Sequence, residues 1–76
     1  MEEIKTNWAR SDRELRRQIN ILQAAAEVQA EQLASVAGIS RSAFYARMQT
    51  PERFRIIELR RLDDFAQEHG MSIFGA

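Results

Sequence analysis

The side chains best equipped for chemistry in this 76-residue chain are arginines, and six of them crowd into one stretch. Between residues 41 and 61, Arg41, Arg47, Arg53, Arg55, Arg60 and Arg61 stand against only Glu52 and Glu58, a local charge of +4. Residues 1–40 hold five basic and six acidic side chains, and residues 62–76 hold Asp63, Asp64 and Glu68 with no lysine or arginine, so the whole chain is neutral. Ten of the eleven basic residues are arginine, whose planar fork fits phosphate oxygens and guanine edges better than a lysine ammonium does. Other chemistries lack their parts. Cysteine is absent, which excludes disulfides and thiolate metal sites. His69 is the one imidazole, and the pair Asp63-Asp64 has no partners for acid–base work and reads as a solvated face. With no nucleophile–base pair, metal set or phosphate loop, neither an enzyme nor a metal, cofactor or small-molecule ligand is expected. No apolar run approaches a membrane span, and Met1-Glu2-Glu3-Ile4-Lys5 is not a signal peptide, so a cytoplasmic protein without a membrane partner is expected.

The elements that must aim these arginines are helices. Ser11 and Glu14 make a capping-box pair, and Leu15, Ile19, Leu22 and Ala26 behind them form one stripe of a helix over 12–26. Ala24, Ala25 and Ala26 offer a place where a neighbouring helix can approach. A second, short helix runs from about Gln29 to Val36, with Leu33 and Val36 or Ala37 inward. Gly38 stops it, because glycine tolerates the positive φ of a sharp turn. Ser40 then caps a third helix that opens at Arg41, with Phe44 and Met48 as its buried i, i+4 pair. Thr50-Pro51 ends that helix, and Phe54 plugs the core from the connection. A fourth helix is predicted over 56–68 with Ile56, Leu59, Leu62 and Ala66 inward, closed by Gly70 with Met71 folding back. The expected class is all-α, a compact domain of four to five helices over 11–70, between an N-terminal segment 1–10 and a C-terminal segment 71–76. Those termini read as short extended segments or tails. Trp8, Phe65, Ile73 and Phe74 are too much apolar bulk for a small surface, so part of it covers the core and the rest forms a dimer contact.

Two short helices joined by a glycine turn have a mechanical use. The first lies across a phosphate backbone while the second projects its N-terminal residues at base edges in the major groove. The residues that fit are Leu33-Ala34, Gly38-Ile39-Ser40 and Phe44-Tyr45, continuing into Pro51, Phe54 and Glu58-Leu59-Arg60-Arg61-Leu62. Over about residues 12–72 the chain resembles the lambda-repressor-like family of phage Cro and repressor proteins. The resemblance implies a helix-turn-helix regulator that binds double-stranded operator DNA as a homodimer through the third helix. On that helix, Arg41, Ser42, Tyr45, Ala46 and Gln49 face outward as base contacts, Arg41 by a bidentate pair to guanine. Gln29 and Ser40 at helix N-termini, with Arg47, Arg53 and Arg55 beside the groove, are the phosphate contacts. Arg60 and Arg61, like Arg16 and Arg17, read as solvated, or in the first pair's case as partners of Glu58 or Asp64. His69 reads as a residue on the dipole at a helix C-terminus. The chain departs from the family pattern at Glu27 and Gln29, where relatives carry a glycine and a Ser or Thr cap, and at His69, where they often carry leucine. Zero net charge keeps a second reading in play, an interaction module of the same fold, antirepressor or adaptor, that does not bind DNA.

Overall fold

With its single proline at position 51 and its three glycines at 38, 70 and 75, the chain has few points at which a helix must break. The computed structural model describes the backbone of residues 2–74 and the side chains of residues 12–74. It is all-helical: α1 Glu2–Ala26, α2 Ala30–Ala37, α3 Arg41–Gln49, a 3₁₀ turn at Pro51–Arg53, and α4 Ile56–Glu68. No strand occurs among the described residues, and no described helix is long and apolar enough to cross a membrane.

Each junction has its own hydrogen-bond solution. At the end of α1 the Val28 N–H donates to the Gln23 carbonyl at 3.2 Å, a closing bond that needs a left-handed residue between them. That residue is Glu27, at φ +55°, on the position where the family resemblance leads one to expect glycine. Gln29 then stands as N-cap of α2, its N–H donating to Gln32 Oε1 at 2.7 Å. Ser40 caps α3 by accepting the Ala43 N–H at 3.1 Å, as the sequence predicts. Glu58 Oε1 accepts the Arg55 N–H at 3.0 Å and so closes the start of α4. Pro51 sits at the first position of the 3₁₀ turn, where its missing N–H goes unused.

The core gathers one or two large residues from each α-helix, Ile19 and Leu22, Leu33, Phe44 and Leu62, and adds Phe54 and Ile73 from the segments between and after them, with Ala34, Ala37 and Ala66 at the close approaches. α2 packs on both α3 and α4, while α1 rests on the 3₁₀ turn. Leu15, Ala26, Met48, Leu59, Phe65 and Met71 ring this cluster at its edge.

Several expectations need correction. The helix does not begin after Ser11: α1 runs through it from Glu2, because residues 2–10 contain neither glycine nor proline and serine inside a helix costs little. The extended or tail reading of the N-terminal segment is replaced by helical backbone; the side chain of Trp8 lies outside the described residues. Of the three alanines expected to admit a neighbour, Ala24 and Ala25 are exposed and Ala26 alone packs against the core. Ile56 is not inward either; it is 70% exposed. Asp63 is not a solvated face. Its Oδ1 accepts the Ser72 hydroxyl at 2.9 Å and the Ile73 N–H at 3.1 Å, while Oδ2 accepts the Gln67 amide at 2.8 Å. That carboxylate folds the C-terminal segment back so that Ile73 enters the core, leaving Phe74 exposed.

Partial burial pushes the Asp63 pKa up, but the bonds from Ser72, Gln67 and the Ile73 N–H outweigh it and hold the carboxyl below its ordinary value. A depressed folded pKa gives stability that is whole above the unfolded value of about 4 and is lost as the pH falls through the folded one. Asp63→Asn is therefore expected to lower Tm at pH 6, with the gap to wild type closing as melts are taken toward pH 2. A gap independent of pH would contradict the anchoring role. A second expectation concerns Glu27: replacing it with glycine removes a left-handed side chain and should raise stability by up to about 1 kcal/mol in urea denaturation.

Candidate nucleic-acid interface

The sequence of α3, Arg-Ser-Ala-Phe-Tyr-Ala-Arg-Met-Gln, carries only two large apolar side chains on its inward stripe. Phe44 is fully buried and Met48 half-buried, which leaves most of the helix circumference free. Arg41, Ser42, Tyr45, Ala46 and Gln49 are all exposed. The Arg41 guanidinium lies over the Tyr45 ring, 5.6 Å from its centroid, within range of a cation–π attraction worth about 0.5–1 kcal/mol at an exposed site. Tyr45 in turn meets Phe44 edge to face at 6.3 Å. This contact restricts two long side chains on the free face, so less freedom is lost when they meet a partner.

A three-residue turn, Gly38 to Ser40, separates α2 from α3. Gly38 has φ +81°, and the Ile39 N–H donates to the Ala34 carbonyl at 2.9 Å. Above the turn lies Arg61 of α4, whose Nη1 donates to the Ala37 carbonyl at 3.3 Å. A Cβ at position 38 would collide with that guanidinium. Arg61 is exposed, as a solvated reading requires, and it also satisfies a free carbonyl at the end of α2; it forms no ion pair with Glu58 or Asp64 among the described residues.

The remaining arginines divide by environment. Arg53, Arg55 and Arg60 are exposed, and none forms an ion pair among the described residues. Arg47 behaves differently from the outward clamp that its charge suggested. Its side chain is 19% exposed and turns onto Glu58, with Nε 2.8 Å from Oε1, and its Nη1 donates to the Ala43 carbonyl at 3.3 Å. The Nε–H lacks hydrogen-bond alignment despite the short distance, so the contact is an attraction of charges. Arg17 pairs with Glu14 at 3.7 Å on the exposed side of α1, where such pairs contribute little. His69 sits where a C-terminal residue should, with Nδ1 3.0 Å from the Phe65 carbonyl and its ring against Phe65.

No protein-family model, curated protein or solved structure matches the chain. Its own geometry therefore carries the functional argument. Among the described residues no group of three or more His, Asp or Glu side chains is placed to hold a metal.

Sequence reasoning missed one wall of the surface. An open groove of about 350 Å³ runs between α1 and α3, where Arg16, Asn20 and Gln23 face Tyr45 and Gln49 across a floor of Phe44 and Met48. The signal was present as a polar row at i, i+4 and i+7 on α1, but such a row normally reads as the solvated side of an amphipathic helix. Gln29 and Ser40 occupy the two N-cap positions, at the start of α2 and α3.

The turn yields a direct expectation. Gly38→Ala should lose about 1–2 kcal/mol, the cost of a side chain in left-handed backbone. Because Arg61 also has to move aside, the same substitution in an Arg61→Ala background should cost less. Urea denaturation of the four proteins tests this, and equal losses in both backgrounds would show that the guanidinium does not sense position 38.

Proposed function

We propose that the chain is a sequence-specific DNA-binding regulator, of the kind its likeness to lambda-repressor-like phage proteins implies, and that α3 enters the major groove. The observation that carries this reading is the split of α3 into one buried aromatic and five exposed residues, Arg41, Ser42, Tyr45, Ala46 and Gln49, presented beyond a left-handed glycine turn. On this reading Arg41 forks onto a guanine, Ser42 and Gln49 bond base edges, and the Tyr45 ring meets a phosphate or a thymine methyl. Gln29 and Ser40 bring backbone N–H groups of α2 and α3 to phosphates, and Arg53 and Arg55 add charge beside them. One recognition helix reads few base pairs, so two copies would act together on half-sites about one turn (~34 Å) apart.

A second reading has specific support. Arg47 is tied to Glu58 rather than free, the chain is neutral, and Ile57, like Ile56, is exposed. A protein-interaction module of the same fold would suit those features.

Salt separates the two. Each phosphate contact contributes about −0.9 to the slope of log K against log salt, so a DNA-binding protein is expected to weaken steeply between 50 and 200 mM salt (about a thousandfold or more for six contacts in a dimer). Arg41→Ala should erase roughly 1–3 kcal/mol of preference for its site over scrambled DNA, whereas Arg53→Ala should weaken all sequences alike and make the slope shallower by about one. Fluorescence anisotropy with the chain's own upstream DNA measures all three. A flat salt dependence, or equal affinity for site and scramble, would sink the DNA reading.

A further inference from the structure

α3 is held to the rest of the fold by surprisingly few fixed points. It fully buries one side chain, Phe44, near its middle. A helix pinned at a single central point can tilt about it unless a second contact lies off that point. Half-buried Met48 gives α3 an apolar contact off that point at the edge of the core, and Arg47, three residues on from Phe44, adds the polar one. Its guanidinium reaches from the Ala43 carbonyl of its own helix, at 3.3 Å, to Glu58 Oε1 on α4, at 2.8 Å. The same oxygen accepts the Arg55 N–H at 3.0 Å, so the carboxylate is itself fixed by the start of α4. Its side chain is only 6% exposed. Among the described residues this is the one ion pair that joins two helices, since Arg17–Glu14 lies within α1.

An ion pair that is largely shut off from water is often no better for stability than apolar side chains of the same size, while a buried charge left alone is strongly unfavourable. What such a pair fixes is geometry. We propose that Arg47 and Glu58 are a positioning pair: they contact no DNA, and they set the tilt at which α3 presents Arg41, Ser42 and Tyr45. The positioning does not depend on what α3 binds. Its consequence for base discrimination rests on the DNA-binding reading above.

The test is residue-resolved amide hydrogen exchange on the free protein, in wild type, in Glu58→Gln and in the double variant R47M/E58Q. Glutamine keeps an oxygen for the Arg55 N–H, so the cap of α4 survives while the charge pair is lost. The α3 amides from Phe44 to Gln49 are expected to exchange roughly tenfold faster in both variants, with clearly smaller changes in α1 and α4. R47M/E58Q leaves no charge without its partner and is expected to hold close to the wild-type Tm, and a loosened α3 at undiminished Tm is a result that a merely stabilising role would not give. Unchanged α3 protection, or acceleration spread evenly over all helices, overturns the proposal. Binding to site and scrambled DNA is measured on the same proteins. A roughly tenfold loss of discrimination in Glu58→Gln supports the link to base reading. Full discrimination despite a loosened α3 breaks that link. If wild type shows no preference, the DNA reading fails while the exchange result still decides the positioning claim.

Discussion

The direction in which α3 leaves the core is decided at Gly38, and the rest of the exposed surface follows from it. With φ at +81°, the chain turns from α2 into α3 within three residues, and the Ile39 N–H closes the end of α2 on Ala34. An L-side chain resists that conformation, and in this fold it would also meet Arg61. Because the turn is short, Phe44 arrives in the core one turn into α3. Once Phe44 is fixed, helical geometry dictates which neighbours face out. Arg41 and Tyr45 share a side of the helix at i, i+4, and the stacking between them is a consequence of that register.

The concentration of arginine between residues 41 and 61 suggested a uniform basic surface. The fold divides it. Arg47 and Arg61 are spent on internal acceptors, one on a buried carboxylate and the other on the last carbonyl of α2. Arg41, Arg53, Arg55, Arg60 and Arg61 are exposed, and Arg61 keeps its charge because the carbonyl it meets is neutral. Arginine suits both tasks for the same reason: its several N–H donors lie in one plane, so it can satisfy an internal acceptor while its stem covers apolar surface. The Arg47–Glu58 pair removes one charge of each sign, so the net of +4 stands while its position shifts to Arg41, Arg53, Arg55, Arg60 and Arg61.

Where a position was governed by its neighbours in sequence, it was legible. Ser40 as a cap, Gly38 and Gly70 in left-handed backbone, Pro51 as a terminator and the limits of α4 at 56–68 all follow from local rules. Phe44, Leu62 and Ala66 were legible too, since apolar spacing alone places them inward. What escaped depended on contacts distant in sequence. Asp63 reads as solvated until Ser72 and Ile73 return to it across Gly70. The Arg61 bond to Ala37 spans 24 positions, and no window on the sequence contains both ends. Ser11 failed for another reason: a capping box requires the chain to leave the helix there, and nothing upstream makes it do so. Glu27 shows the same limit from the other side, because the need for a left-handed residue was met without the glycine that usually announces it.

The register of α4 shows how a polar contact can overrule a hydropathy pattern. Read by apolar residues alone, Ile56 and Leu59 begin the inward stripe. In the structure that stripe is Glu58, Leu62 and Ala66, spaced by four, with Leu59 at its edge. Ile56 lies roughly 200° around the helix from Glu58 at 100° per residue, so burying one exposes the other. An isolated carboxylate would lose that competition, since its desolvation outweighs what an isoleucine gains. Glu58 is not isolated. It satisfies the first free N–H of α4 and neutralises Arg47, and removing it would leave both groups without their partner. The exposure of Ile56 thus follows from how the start of α4 is capped and from how α3 is held. It needs no binding partner to explain it, and that weakens one of the supports for the interaction-module reading.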